Sequence, residues 1–324
     1  PMNTNLTLAI CMYNAEKYIE ETLRCILKQS MQDFYLMIVN DCCTDGSVDI
    51  VKNFFNKNPR QYELVNFTEN KGLAYGRRYV EDHTDTDYLL FVDADDCPYP
   101  NLVEKLYNKI TADPQLMAVG CYLEYINLEG KQTKGGIYIG EKSKEDFYIK
   151  AKNEKLIFMA STSMYNRKIA LSVGGHNIVG FPDGKPRYQD LCEDLDLWTR
   201  MSDLYVNGYA IIVIPEVLYQ YRKGDGMSAD SFNMLLRMRH IKSKLKRRRR
   251  GEPELSFIDF QNSLSDAELS KLKNEARSAN SFRNAYYYLK KGKLLSAVKN
   301  MFVAFVSNPK YVIDKVKCNL LKIK

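Results

Sequence analysis

Leu89-Leu90-Phe91-Val92-Asp93-Ala94-Asp95-Asp96 is an apolar strand that ends abruptly in three carboxylates within four residues. Carboxylates this close repel one another strongly in a low-dielectric setting. They become tolerable when one face meets a cation. An oxygen-only donor set of few ligands suits Mg²⁺ or Mn²⁺, which complete their shells with water and substrate phosphates. A solvated turn that also starts the helix after Pro98 and Pro100 is the plainer alternative. The setting of the turn in the chain decides between the two.

Upstream of it, short apolar runs alternate with helical patterns. Residues 6–12, 34–39, 62–67 and 88–92 read as strands, and 16–29, 48–55, 73–80 and 102–110 as helices. In the first helix the apolar positions are Tyr18, Ile19, Leu23, Ile26 and Leu27, which is helical spacing. Strand-helix repetition with short connections predicts βαβ crossovers and a mostly parallel, Rossmann-like sheet flanked by helices, an α/β fold. Ligands of such sheets gather beyond the carboxyl ends of the strands. The polar clusters Tyr13-Asn14, Asn40-Asp41 and Asp93 to Asp96 fall there.

Downstream the rhythm changes. Strands are expected over 118–126 and 136–139, joined through Glu129-Gly130, and over 210–214, while 161–166 and Gly174-Gly175 lead into a loop. That loop, with Gly180, Pro182, Gly184 and Pro186, precedes a helix over 194–204. From Ser231 the pattern is wholly helical, with amphipathic segments over 266–279, 281–290 and 294–306. The expected division is an α/β domain over 1–230, with a nucleotide-binding half over 5–115 and an acceptor half over 116–230, followed by a basic helical extension over 231–324.

A chain of 324 residues with 45% hydrophobic and 27% charged residues is globular rather than disordered. Its net charge of +7 is uneven. No acid occurs between Ser231 and Gly251, where Arg237, Arg239, Lys242, Lys244, Lys246 and Arg247 to Arg250 are all basic. Such a cluster attracts a membrane surface, nucleic acid or phosphorylated substrates, unless it is simply a solvated helix face. No recognition module accompanies it, which argues against nucleic acid. None of the eight cysteines forms a CxxC pair and most lie in apolar stretches, so a reducing, cytoplasmic setting is expected. The first residues lack a signal-peptide pattern, and no apolar run approaches the ~20 residues that span a bilayer.

Five segments together resemble the inverting family 2 glycosyltransferases of GT-A fold. Asp93 to Asp96 looks like the family's DxD motif. Leu8 to Asn14 with Tyr18-Ile19 is similar to its opening strand, and Ile38 to Ser47 to its Val-Asp-Asp-Gly-Ser-Thr-Asp-Gly-Ser segment. Asn70-Lys71-Gly72 with Arg77 resembles its Asn-x-Gly…Arg, and Cys192 to Trp198 its Glu-Asp motif. The resemblance covers residues 5 to 225 and implies transfer of a single sugar from a nucleotide sugar, a UDP-sugar in the first instance, with inversion. The setting it implies is cell-surface polysaccharide or lipooligosaccharide synthesis. A polyprenyl-phosphate sugar transferase and a non-catalytic nucleotide-sugar-binding domain are the alternatives.

The resemblance also implies roles. Cys11, Tyr13, Asn14, Asp41, Gly72, Arg77, Asp93 and Ala94 would line the donor, with Asp41 on the base, Asp93 on the ribose and Arg77 near base or diphosphate. Asp95 would hold Mn²⁺ or Mg²⁺, and Asp96 would be a supporting group or part of the helix start. Asp194 would be the base that deprotonates the acceptor hydroxyl, with Glu193 as alternate. These two acids also suit the first turn of a helix. Trp198 would line the acceptor site or lie in the core. The acceptor would be a glycan or a lipid-linked molecule. Peripheral contact with the inner face of the cytoplasmic membrane is expected through 237–250 and the C-terminal helices.

The sequence departs from the pattern in places. Asn40 replaces the first Asp of the pair, and Cys42-Cys43 replace Gly-Ser. Tyr219 to Asp225 resembles the late Tyr-Arg-x-His segment, but Gly224 stands at the His position, leaving Arg222, Lys223 or Asp225 as substitutes.

Overall fold

The computed structural model describes residues 5–224 and 231–321. In chain order the first unit contains β1 (Leu6–Met12), α1 (Ile19–Leu27), β2 (Tyr35–Asn40), α2 (Ser47–Lys57), β3 (Glu63–Asn66), α3 (Leu73–His83), β4 (Tyr88–Phe91) and β5 (Cys97–Pro98). It continues through α4 (Leu102–Ala112), β6 (Leu116–Ile126), β7 (Gln132–Ile137), α5 (Lys144–Lys152), β8 (Met164–Asn166), α6 (Arg167–Ser172), α7 (Glu193–Met201) and β9 (Ala210–Arg222). Of the described residues, 5–179, Cys192–Gly224 and Leu245–Pro253 form this unit, and Gly180–Leu191, 231–244 and 254–321 form the second.

The sheet order is β3-β2-β1-β4-β8-β6-β9-β5, with β7 on β6. β3, β2, β1 and β4 pair in parallel, as the βαβ reading requires. β8 is antiparallel to β4 and β6, while β6 and β9 run parallel, so the sheet as a whole is mixed. The parallel strands read as continuous apolar runs because helices cover both faces, and Leu6, Leu8, Ile10, Leu36, Ile38, Leu89 and Leu90 are fully buried. Strand order reverses at β1, which puts a crevice outside the carboxyl ends of β1, β2 and β4. α3 lies very close over β1: a Cβ on Gly76 would stand 2.9 Å from Cys11 Sγ.

β5, α5, β8 and α6 have no counterpart in the sequence reading, and β9 is longer than expected. β9 runs on to Arg222, where a strand ending at Ile214 was expected, because its second half pairs with β6 and β5 across a bulge. β5 pairs Cys97 with Gln220 and Pro98 with Tyr219, so the acidic turn is anchored to β4 on one side and to β9 on the other. The cysteines also depart from an all-thiol expectation. Cys25 on α1 and Cys97 on β5 are joined as a disulfide, with Cα atoms 5.7 Å apart.

The second unit consists of residues 231–244 of α8 (Ser231–Arg249), then α9 (Phe257–Ser263), α10 (Asp266–Lys290), α11 (Leu294–Ser307) and α12 (Pro309–Leu321), with the 180–191 loop. Leu236, Phe257, Phe260 and Leu272 form its core, against Phe181 and Tyr188. α10 is one helix, opened by a Ser265/Glu268 capping box, where two segments were expected. No helix of the described residues is long and apolar enough to cross a membrane.

The basic stretch 237–250 is not the free cationic patch it resembles in sequence. Arg237 is buried and donates to the Tyr188 carbonyl at 3.0 Å. Arg239 pairs with Glu275 at 2.9 Å, Lys244 with Glu254 at 3.3 Å and Arg247 with Glu252 at 3.6 Å. Arg248 and Arg249 share Asp203 at 2.6 and 2.7 Å. Four acids, Asp203, Glu252, Glu254 and Glu275, thus pair with five of the nine basic side chains, and Arg237 is buried, so the stretch presents less free charge than its sequence suggests.

Candidate active site

The loops at the carboxyl ends of β1, β2 and β3 are tied together by short polar side chains. Asn14, with φ 47°, accepts from Thr44 N at 2.8 Å and so joins the β1 and β2 loops. Asn40 accepts from Cys43 N and donates to Asn66 Oδ1, both at 2.9 Å. An amide can do both, so the departure from Asp at this position gives the turn a donor toward β3. Cys42 takes φ 61°, the left-handed conformation that Gly would accept freely at the position where the family pattern has Gly. Such strain in a non-glycine residue costs about 1–3 kcal/mol and clusters at functional sites. Tyr13 is exposed at the mouth of the crevice, and Cys11 is half-buried beneath α3.

Asp41 is buried and already has partners. Its carboxylate accepts from Lys71 N at 2.6 Å, Gly72 N at 2.9 Å and Asn70 Nδ2 at 2.9 Å. Gly72, at φ 92°, starts α3, so Asp41 fixes the entry of the helix that carries Arg77. Asn70 was quoted only as part of a motif in sequence; its function here is to close this loop.

The acidic turn divides its carboxylates. Asp93 is part-exposed, and its N–H donates to the Tyr219 hydroxyl at 3.1 Å. Burial, with Asp93 beside it, pushes Asp95 up to about 6. Asp96 is fully buried: Oδ1 accepts from Arg222 N at 2.7 Å, and Oδ2 has no well-formed hydrogen bond among the described residues. Burial and the neighbouring Asp93 and Asp95 hold the Asp96 carboxyl well above the usual range. Ala94 is buried, and its carbonyl and that of Asp96 accept from Thr22 Oγ1 on α1 at 3.0 and 2.8 Å.

No three His, Cys, Asp or Glu side chains converge into a metal cage among the described residues. A cation held by one or two carboxylates and completed by diphosphate oxygens and water needs no such cage. Asp95 fits that pattern, since its negative charge is destabilised by burial and by Asp93, and a cation relieves both. Asp93 is the carboxylate beside it.

Arg77 connects this turn to the Glu-Asp motif. Fully buried on α3, it donates to Glu193 Oε1 at 2.7 Å and to Asp93 Oδ1 at 3.2 Å, with its guanidinium 5.3 Å from the Phe91 ring. Burial opposes its charge, but Glu193 and Asp93 hold it protonated, above its ordinary range. Glu193 opens α7 just after Cys192, a second strained residue at φ 56°. Burial and the adjacent Asp194 push Glu193 up to about 8 against the pull of Arg77. Asp194 is the less buried of the two and accepts only its neighbour's Leu195 N–H, at 2.7 Å, among its described hydrogen bonds. Burial raises it too, with Arg77 acting the other way.

The packing corrects one expectation, for Arg222, and decides between two for Trp198. Arg222 is not available to a metal or diphosphate. Its side chain donates to the Asp95 carbonyl at 2.7 Å, to the Asn127 and Leu128 carbonyls at 3.1 and 3.0 Å and to Glu21 at 2.6 Å, with Tyr18 4.6 Å away. It clamps the acidic turn to the β6–β7 connection and to α1. Trp198 is 1% exposed and packs edge-on to Tyr165 at 5.3 Å, so it belongs to the core and not to an acceptor surface. Lys223 lies over the Tyr125 ring at 4.8 Å, Gly224 is near Leu128, and Asp225 lies outside the described residues.

A buried network beneath the site had no sequence signal. Glu81, one turn beyond Arg77 on α3, accepts from the Tyr165 hydroxyl at 2.8 Å, meets His176 Nδ1 at 2.7 Å and accepts from His176 N at 2.8 Å. Burial opposes its charge, but His176 and Tyr165 outweigh it and hold Glu81 below the usual range. It locks the residue 176 loop to the helix that carries Arg77.

Comparison with known proteins agrees with this geometry. A family profile described as "Glycosyl transferase family 2" matches residues 7–174, just over half of the chain. Glycosyltransferase GlyA of Streptococcus pneumoniae is 32% identical over 129 residues, 40% of this chain and 18% of that protein. The chain spans 18%, 13% and 51% of the length of the three curated relatives that head the comparison. Among solved structures, S. aureus TarS 1–349 in complex with UDP-GlcNAc shares the fold at TM-score 0.54 and 17% identity, over 91% of this chain and 90% of that one. The mannosyltransferase PcManGT from Pyrobaculum calidifontis, in complex with GDP-Man and Mn²⁺, does so at TM-score 0.52 and 18% identity, over 99% and 83%. With the profile covering the crevice loops, the acidic turn and Arg77, the chain belongs to glycosyl transferase family 2.

Proposed function

We propose that the chain transfers one sugar from a nucleotide sugar, first of all a UDP-sugar, to a hydroxyl of a glycan or lipid-linked acceptor, with inversion at the anomeric carbon. The observation that carries this reading is Arg77, whose guanidinium joins the donor-side Asp93 to Glu193 beside Asp194. It sets a cation-fitting turn and a candidate base at one site. Relatives of the same fold in complex with UDP-GlcNAc and with GDP-Man and Mn²⁺ support the choice of donor class.

In this reading Asp95 would hold Mn²⁺ or Mg²⁺, which would supply Lewis-acid stabilisation of the departing nucleoside diphosphate. Asp93 orients the ribose. Asp194 takes the proton from the acceptor hydroxyl as its oxygen bonds to the anomeric carbon and the bond to the diphosphate breaks. One free carboxylate base, with Glu193 engaged by Arg77, supports a single displacement rather than a glycosyl-enzyme route.

The test is thermal unfolding and hydrolysis with a panel of UDP- and GDP-sugars, with and without Mn²⁺. A cognate donor at about a hundred times its Kd stabilises the protein by ~2.7 kcal/mol, and only when Mn²⁺ is present. Asp95→Asn is expected to remove that metal-dependent increment. No metal-dependent nucleotide binding by the parent protein would sink the reading, and binding without turnover over any acceptor would favour the non-catalytic alternative.

A further inference from the structure

α11 is patterned inside out. Its buried face is made of small residues, Ala297 and Ala304, and the Ala304 carbonyl accepts from Ser278 Oγ on α10 at 2.7 Å. Its large apolar side chains point to solvent: Leu294, Leu295, Val298, Phe302, Phe305 and Val306, with Leu295 89% and Phe302 68% exposed. These positions recur at helical spacing and form one continuous stripe. A helix that only had to pack on α10 would turn that stripe inward. A contiguous exposed apolar stripe of this kind marks an interaction surface.

The charge around the stripe selects the occupant. Between residues 284 and 317 there are seven lysines and one acid, Asp314. Lys290 and Lys291 lie over the rings of Tyr286 and Tyr287 at 4.4 and 5.2 Å, and Lys315 near that of Tyr311 at 5.8 Å, so lysines and tyrosines lie together on the helices packed beside α11. A second copy of the same face would set lysine against lysine. An anionic bilayer offers headgroups to the lysines and hydrocarbon to Leu and Phe at the same depth.

We propose that the outward stripe of α11 lies in the headgroup region of an anionic membrane, with the lysines at 290–293 and 299 on its phosphates. With 14 residues α11 is about 21 Å long, short of the ~30 Å hydrocarbon core, so it lies along the surface and does not span it. This relocates the membrane contact from 237–250, where five basic side chains are ion-paired within the protein, to a helix whose apolar face is exposed among the described residues. It is independent of the proposed transfer reaction.

Flotation of the full chain with vesicles of equal parts phosphatidylglycerol and phosphatidylcholine, against phosphatidylcholine alone, tests it. Binding is expected to the anionic vesicles only and to weaken as salt rises. Leu295→Glu with Phe302→Glu should lower the bound fraction at least about tenfold, while the melting temperature and Mn²⁺-dependent nucleotide binding stay as in the parent. Lys290→Gln, Lys291→Gln and Lys293→Gln together leave the stripe intact and should weaken anionic binding by about tenfold or more. Failure of the parent protein to float, or unchanged flotation of both variants, overturns the proposal. So does concentration-dependent self-association, seen by light scattering without lipid and abolished by the Leu295→Glu, Phe302→Glu pair, because it would assign the stripe to a second copy.

Discussion

Asp194→Asn is expected to lower turnover by about 10²–10⁴-fold, the usual contribution of a positioned general base, while leaving Mn²⁺-dependent nucleotide binding intact. The amide keeps the size of the side chain and its acceptor toward Leu195 N, so α7 starts as before. It loses only the ability to take a proton. The structure favours this residue over Glu193 because the Glu193 carboxylate is held at 2.7 Å by Arg77, whereas Asp194 has no ion pair among the described residues. The pH dependence has a definite sign. Burial raises Asp194 above the ordinary aspartate range, so it stays protonated to higher pH than a solvated aspartate would. A base must be unprotonated, so turnover should rise with pH through that raised value and flatten above it. Glu193 and Asp194 repel each other, and the inflection belongs to the pair. Turnover within about tenfold of the parent, well short of a base's usual contribution, would show that the proton leaves by another route.

Arg77→Met should strongly destabilise the protein, by up to about 3–5 kcal/mol, because it removes the guanidinium that answers the buried Glu193 carboxyl, which must then lie unpaired or take up a proton. The side chains of Arg77 and Glu193 are only 3% and 8% exposed, so water cannot replace the lost partner. Asp93 is 28% exposed and suffers less. Adding Glu193→Gln removes the stranded carboxylate, and the double variant should recover much of the loss. Urea unfolding of the parent, both singles and the double reads this as a double-mutant cycle. Additive effects, or a loss below about 1 kcal/mol as for a surface pair, would show that the ion pair does not join the two sides of the site. A second readout separates this role from packing alone. Arg77 pulls Asp194 down, so among folded molecules its removal should move the acid limb of the pH profile to higher pH.

Much of the first unit was legible because its signals are local. β1 and the parallel strands beside it are apolar runs bounded by turn residues, and their carboxyl ends carry the polar clusters that form the crevice. α5 was missed because only Phe147 and Ala151 of its nine residues are buried, too few to impose a period. α10 was divided in two because Ser278 and Ser281 interrupt the apolar pattern, yet both are buried in this helix, Ser278 hydrogen-bonded to α11. Glu81 with His176 lay beyond reach for another reason. A buried acid and a histidine 95 residues apart leave no trace of their pairing in either neighbourhood.

The sequence by itself determined the crossover order, the family pattern and the place of Asp93 to Asp96 at a strand's end, since hydrophobic periodicity and turn chemistry act over a few residues. Only the tertiary structure decided how the charges are shared. It engaged Glu193 with Arg77 and left Asp194 without an ion pair among the described residues, turned Arg222 from a candidate phosphate ligand into a clamp on the acidic turn, and paired Arg239, Arg248 and Arg249 of α8 with acids distant in sequence. Charge pairing depends on distances of a few ångströms between residues that can be more than a hundred positions apart, and those distances exist only once the sheet and helices have packed.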